Sequence, residues 1–170
     1  ELDKYDAIVV GIRAYNVVDD LKFKQPVLFN YVKKGGNMIV QYNTAGRWAD
    51  QFKNIAPYDL TISRDRVTDE TAEVDIIAPN NPLVSYPNAI KQSDFEWSAE
   101  FTPVLSMHDE DDEPTKGSLL VAPYGEGHYI YTGLSFFREL PAGVSGAYKL
   151  FANMLSIGKD DVKKESNVKG

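Results

Sequence analysis

Apolar positions in the first 42 residues fall into three blocks with different spacing. Tyr5-Asp6-Ala7-Ile8-Val9-Val10-Gly11 is a short, nearly unbroken apolar run rich in β-branched residues. That pattern predicts a strand buried on both faces of a parallel sheet. Val27, Leu28, Tyr31 and Val32 recur at helical spacing and predict a helix that turns these side chains toward the sheet. Pro26 suits a first helical position, which puts the start of the regular helix near Gln25. Lys33 and Lys34 complement the dipole of its last turn, and Gly35-Gly36 closes it. In the loop before it, 13–20, Asp19 or Asp20 is placed to cap a short helical turn. Asn37-Met38-Ile39-Val40-Gln41-Tyr42 then reads as a second strand. Strand, crossover helix and parallel strand make a right-handed βαβ unit.

The pattern is weaker from Ala49 to Ser63, where 50–55 suggests a helical turn and Tyr58-Asp59-Leu60-Thr61-Ile62 alternates like a strand. Further strands are predicted over 72–77 and 101–107. Pro79-Asn80-Asn81-Pro82 and Pro87-Asn88 are turn signals. Ser118 to Tyr124 and His128 to Leu134 read as strands joined by Gly125-Glu126-Gly127, an antiparallel hairpin. A closing helix is predicted over 142–157, with Tyr148, Leu150, Phe151, Met154 and Leu155 as its apolar face and Gly158 as its stop. This gives one α/β domain over 1–158 and a charged, apolar-poor tail over 159–170.

The chain has 170 residues and a formal net charge of −7. The negative balance disfavours nucleic acid or an anionic membrane surface as the main partner. No apolar run approaches the ~20 residues of a membrane-spanning helix. With no cysteine, disulfides, thiolate metal sites and cysteine nucleophiles are excluded. No cofactor is expected. A strand that begins within five residues of Glu1 gives the start the look of a cut edge.

Ligands of open α/β sheets bind beyond the carboxyl ends of the strands. Here those ends carry Arg13, Tyr15 and Asn16 after the first strand and Asn43, Thr44, Arg47 and Trp48 after the second. Planar, aromatic and amide groups at one edge suit sugar contact. Loop packing is the equal alternative for Arg13 and Asn16. Phe136 and Phe137 follow another strand end, where burial is the default for Phe and docking to a partner domain the alternative. The two histidines, His108 and His128, have no metal-ligand spacing. The acidic run 109–113 lacks the glycine and the alternation of a calcium loop.

Several stretches are similar to the trehalose-utilisation (ThuA-like) branch of the class I glutamine amidotransferase-like fold. They are Tyr5 to Gly11, Tyr31-Val32-Lys33-Lys34-Gly35-Gly36-Asn37-Met38-Ile39-Val40, Asn80-Asn81-Pro82-Leu83, and Tyr124 to Leu134. Val10-Gly11-Ile12-Arg13-Ala14-Tyr15-Asn16 and Leu134-Ser135-Phe136-Phe137-Arg138-Glu139-Leu140-Pro141 resemble more closely the amidotransferase-like domain that follows PIG-L-like de-N-acetylases, which are zinc enzymes. The resemblance implies a flavodoxin-like, mainly parallel sheet flanked by helices. It also implies an earlier strand and helix before Glu1, a longer aromatic segment between Glu96 and Trp97, a covalently linked deacetylase domain, glycan as a partner, and a bacterial envelope or secreted location.

Amidotransferases of that fold carry a cysteine on a sharp turn after a strand. The corresponding turn, Tyr42-Asn43-Thr44-Ala45-Gly46, has none and lacks a Gly-x-nucleophile-x-Gly pattern. Thr44 would need an adjacent base to act as a nucleophile. The expectation is therefore an accessory domain without catalytic residues. The alternatives are a hydrolase or transferase using Thr44, Glu96 or His108, and a purely structural spacer.

Overall fold

The computed structural model describes residues 1–44, 55–60, 76, 78–91, 119–134, 136, 140 and 145–159. Met38, Ile39 and Val40 are fully buried on a strand, Asn37–Gln41, that has a neighbour on each side. In chain order the strands are β1 (Ala7–Val10), β2 (Asn37–Gln41), β3 (Leu119–Tyr124) and β4 (Gly127–Thr132). They lie side by side as β1-β2-β4-β3. β1 and β4 both run parallel to β2, and β3 is antiparallel to β4. The sheet is thus mixed, with helices α1 (Ala14–Val17), α2 (Asp20–Lys33), α3 (Pro82–Ser85) and α4 (Ser145–Ser156), and the fold is α/β.

Side chains alternate across a strand, so β2 and β4 each feed two cores. Met38 and Val40 with Tyr129 and Tyr131 pack against Leu28, Tyr31 and Val32 of α2. Ile39 and Ile130 pack against Ala147, Leu150 and Met154 of α4 and Leu83 of α3. Each such Leu, Ile or Val contributes about 1.5–3 kcal/mol by leaving water.

Buried amides join the layers. Asn37 Nδ2 donates to the carbonyl of Ile157 at 2.8 Å, which satisfies one of the orphan acceptors at the end of α4. The chain then turns away at Gly158, φ +78. Asn153 Nδ2 donates to the carbonyls of Leu83 and Asn88, and its Oδ1 accepts from the Asn88 N–H. Asn81 caps α3 by accepting from the Leu83 N–H at 3.0 Å.

The hairpin tip between β3 and β4 lies against the end of α2. Glu126 N–H donates to the Lys33 carbonyl, and His128 N–H to that of Gly36. A Cβ on Gly127 would run into the Val32 and Gly36 carbonyl oxygens. Gly125 has φ +64, a conformation glycine adopts without cost.

The structure corrects several sequence expectations. α2 starts at Asp20, and Pro26 lies inside it. Asp19 stands at its N-cap position with no side-chain hydrogen bond, and a separate turn, α1, occupies part of the expected loop. Val27 is 56% exposed, because it stacks above Phe23 on the outer side of α2. β1 is an edge strand of the described sheet, which leaves Val9 41% exposed instead of buried on both faces. Tyr148 points outward from α4 and donates its hydroxyl to the Leu140 carbonyl. Tyr58 to Leu60 form no strand; the Tyr58 hydroxyl donates to the Pro123 carbonyl instead. Phe136 is buried. The expected turn over 50–55, the strands over 72–77 and 101–107, the acidic run 109–113, Phe137 and the tail 160–170 lie outside the described residues, apart from positions 55 and 76.

Candidate site at the strand ends

β1 and β2 are in register, Ala7 opposite Asn37 and Val10 opposite Val40, so the two loops that follow them leave the sheet together. The first begins with a constrained residue. Arg13 is left-handed, φ 55 and ψ 16, which costs a non-glycine residue about 1–3 kcal/mol. Its N–H donates to the Tyr42 carbonyl at 2.7 Å, and its carbonyl accepts from Asn16 N–H at 2.9 Å, and these bonds hold the turn.

Asn43 is completely buried at the centre of the site. Its Oδ1 accepts from the Tyr15 N–H at 3.1 Å, and its Nδ2 donates to the Gln41 carbonyl at 2.8 Å. Its own N–H donates to the Tyr131 hydroxyl at 3.3 Å. Asn16 and Thr44 form the outer layer. Asn16 Nδ2 donates to the Thr44 carbonyl at 3.1 Å, and its Oδ1 accepts from the Thr44 N–H at 3.0 Å and from Thr44 Oγ1 at 3.3 Å. The Asn16 side-chain amide thus ties the two loops together.

Beneath them lies a group of phenols. Burial raises the pKa of Tyr15, with a smaller opposing effect from the neighbouring Gln25 amide. Burial also raises that of Tyr131, partly offset by its hydrogen bond with Asn43 and reinforced by Tyr42. Tyr129 is raised further, by burial first and then by Tyr15 and Tyr131; its hydroxyl donates to the Ile55 carbonyl at 2.8 Å. All three stay protonated at ordinary pH and cannot serve as bases there.

The structure therefore brings together Arg13, Tyr15, Asn16, Asn43 and Thr44. Arg47 and Trp48, and the alternative catalytic residues Glu96 and His108, lie outside the described residues. Tyr15 is buried and Asn43 spends its polar atoms internally. Arg13 is exposed, and among the described residues no hydrogen bond or ion pair holds its guanidinium. His128 pairs with Asn37 at the opposite end of β2, so the length of the strand separates it from Thr44. Among the described residues no cluster of His, Asp or Glu could hold a metal ion, and no helix is long and apolar enough to cross a membrane. Sequence reasoning missed Tyr131, which lies 88 residues from Asn43; only the parallel register of β2 and β4 brings it there.

Comparison with protein-family models, curated proteins and solved structures gives no match to this chain, and none identifies a ThuA-like domain.

Proposed function

We propose that this chain is a flavodoxin-like domain of the ThuA-like, class I amidotransferase-like type. In this reading it is a non-catalytic accessory to a carbohydrate de-N-acetylase, contributing domain packing or glycan contact. One observation carries the reading: the Thr44 hydroxyl, at the turn where amidotransferases place their nucleophile, donates to the amide oxygen of Asn16. An amide oxygen is too weak a base to take that proton, so this contact does not activate the hydroxyl. The backbone on either side is held by the Asn16 and Asn43 amides. Packing is supported on the outer side of α2, where Phe23 is 80% exposed one turn from Val27, with Val17 and Val18 also exposed on the end of α1. Single exposed apolar residues are ordinary, but a stacked pair on one helix face is suited to a neighbour.

The test is an assay of the purified chain against amide and glycoside substrates, together with a pull-down by a PIG-L-like de-N-acetylase domain. The expected result is no turnover above background and an association weakened at least tenfold by Phe23→Asp. Turnover that disappears in Thr44→Ala or Glu96→Gln would establish the hydrolase or transferase reading instead. Absence of any association would leave the spacer.

A further inference from the structure

α2 carries a second apolar stripe besides the one that faces the sheet. Leu21, Leu28, Tyr31 and Val32 pack into the core. A helix that covers a sheet ordinarily turns a polar face to solvent. Here Phe23 and Val27 stand on that outer face, both exposed. They belong to a longer series. Asp20, Phe23, Val27, Asn30 and Lys34 follow one another by three, four, three and four residues, and all are exposed. Positions so spaced line one side of a helix, and the alternation of three and four is that of a helix–helix seam. The charges on this seam are segregated. Asp20, with Asp19 beside it at the N-cap, stands at one end, and no ion pair or hydrogen bond holds either carboxylate among the described residues. Lys34 stands at the other end. Its N–H still donates to the Asn30 carbonyl, which keeps it on the helical path. Its ammonium meets Asp3 at 3.0 Å, and the side chain stays 55% exposed and open to a second carboxylate. The two ends are 14 residues apart, about 21 Å along the axis.

We infer that this face seats a second copy of the chain, with the two α2 helices antiparallel about a two-fold axis. A stripe with acid at one end, apolar side chains between and base at the other is complementary to its own reverse. The antiparallel arrangement sets Phe23 against the partner's Val27 and brings Asp20 within reach of the partner's Lys34. By symmetry each contact occurs twice. A parallel arrangement would set like charges against each other at both ends. Lys24 flanks the apolar pair, and its flexible stem lets the ammonium stay in water. Another protein would have to present the same order of charges, which a second copy does by identity. The interface is small and its ion pairs are exposed, so the dimer is weak, with a Kd of about 0.1 mM. This pairing does not depend on the accessory-domain reading. A de-N-acetylase domain seated on the same face would compete with the second copy.

The test is sedimentation equilibrium of the full chain from about 10 µM to about 1 mM, with circular dichroism to check the fold of each variant. A monomer–dimer equilibrium is expected, and Phe23→Ser should abolish it over that range. Asp20→Lys and Lys34→Glu should each weaken it about fivefold or more, because each change strikes both symmetry-related pairs. The double variant Asp20→Lys/Lys34→Glu should recover the affinity to within about twofold. A chain that stays monomeric to about 1 mM, a dimer untouched by Phe23→Ser, or a double variant no tighter than the single ones would each overturn the inference. A monomeric chain leaves the association test with the de-N-acetylase domain standing. A dimer that captures no such domain fails the accessory-domain reading alone.

Discussion

The backbone N–H of Tyr15 donates to Asn43 Oδ1 at 3.1 Å, across 28 residues of sequence. This bond and the opposite one from Asn43 Nδ2 to the Gln41 carbonyl fix the loop after β1 to the loop after β2. Asn43→Ala would leave both partners without a mate in the interior. The expected loss is about 2–4 kcal/mol in urea denaturation. Asn43→Asp keeps the acceptor for Tyr15 but turns a carboxylate oxygen toward the Gln41 carbonyl. A buried carboxyl has its pKa raised, so this variant should lose stability as pH rises from 4 toward 7. A loss below about 0.5 kcal/mol for Asn43→Ala would show that the amide does not hold the loops.

Alkaline pH should unfold the domain through its phenols. Tyr15, Tyr31, Tyr129 and Tyr131 all hold their protons above the ordinary value of 10.0, with burial the largest cause in each. A raised folded-state pKa gives stability that is complete below the unfolded value and is lost as pH climbs through the folded one. The window therefore opens near pH 10. Tyrosinate absorbance should show these four of the ten tyrosines ionising only together with loss of the circular dichroism signal. Tyr129→Phe should lower stability at neutral pH by about 1 kcal/mol, through the lost bond to the Ile55 carbonyl, and flatten the alkaline decline. Smooth ionisation of all tyrosines in the folded state would contradict this account.

Two glycines should respond oppositely to the same methyl. Around Gly11 an added Cβ meets nothing within 4 Å, so Gly11→Ala should stay within about 0.5 kcal/mol of the wild type. At Gly127 the methyl meets two carbonyl oxygens that the backbone cannot easily withdraw. Gly127→Ala should cost about 1–3 kcal/mol or more. Thermal melts of the two variants side by side check this, and equal melting points would refute it.

Asn153 ties α4 to the segment around α3. Asn153→Leu keeps the branched shape but removes the donors to Leu83 and Asn88 and the acceptor for Asn88 N–H. The expected result is a loss of about 2–3 kcal/mol and faster amide hydrogen exchange at Asn88. Unchanged exchange there would mean that apolar packing of Leu83 alone holds the segment.

Where a local rule and the tertiary contacts agree, the sequence was readable. Gly125-Glu126-Gly127 announced the hairpin, Gly35-Gly36 the step into β2, and Gly158 the end of α4. Reading failed where a neighbour decides. Pro26 is favoured at a first turn, but nothing in that preference reveals that Leu21, Leu28 and Val32 together hold a helix running through it. Val9 has the composition of a doubly buried strand residue, yet its exposure depends on which strands flank it. At the candidate site, Asn43 and Thr44 could be read as groups that satisfy a turn. Their partners Asn16 and Tyr131 come from α1 and β4, and no spacing names them.

The tip of a hairpin is ordinarily the place where a polypeptide can be opened, tagged or lengthened without harm. Here the Glu126 N–H is committed to Lys33, and Gly127 sits flush against Val32 and Gly36. A protease would find no slack in this bend, and an epitope spliced between Glu126 and Gly127 would pry the long helix from the sheet. Anyone labelling this protein would do better at the outward side chain of Tyr148, on the far layer.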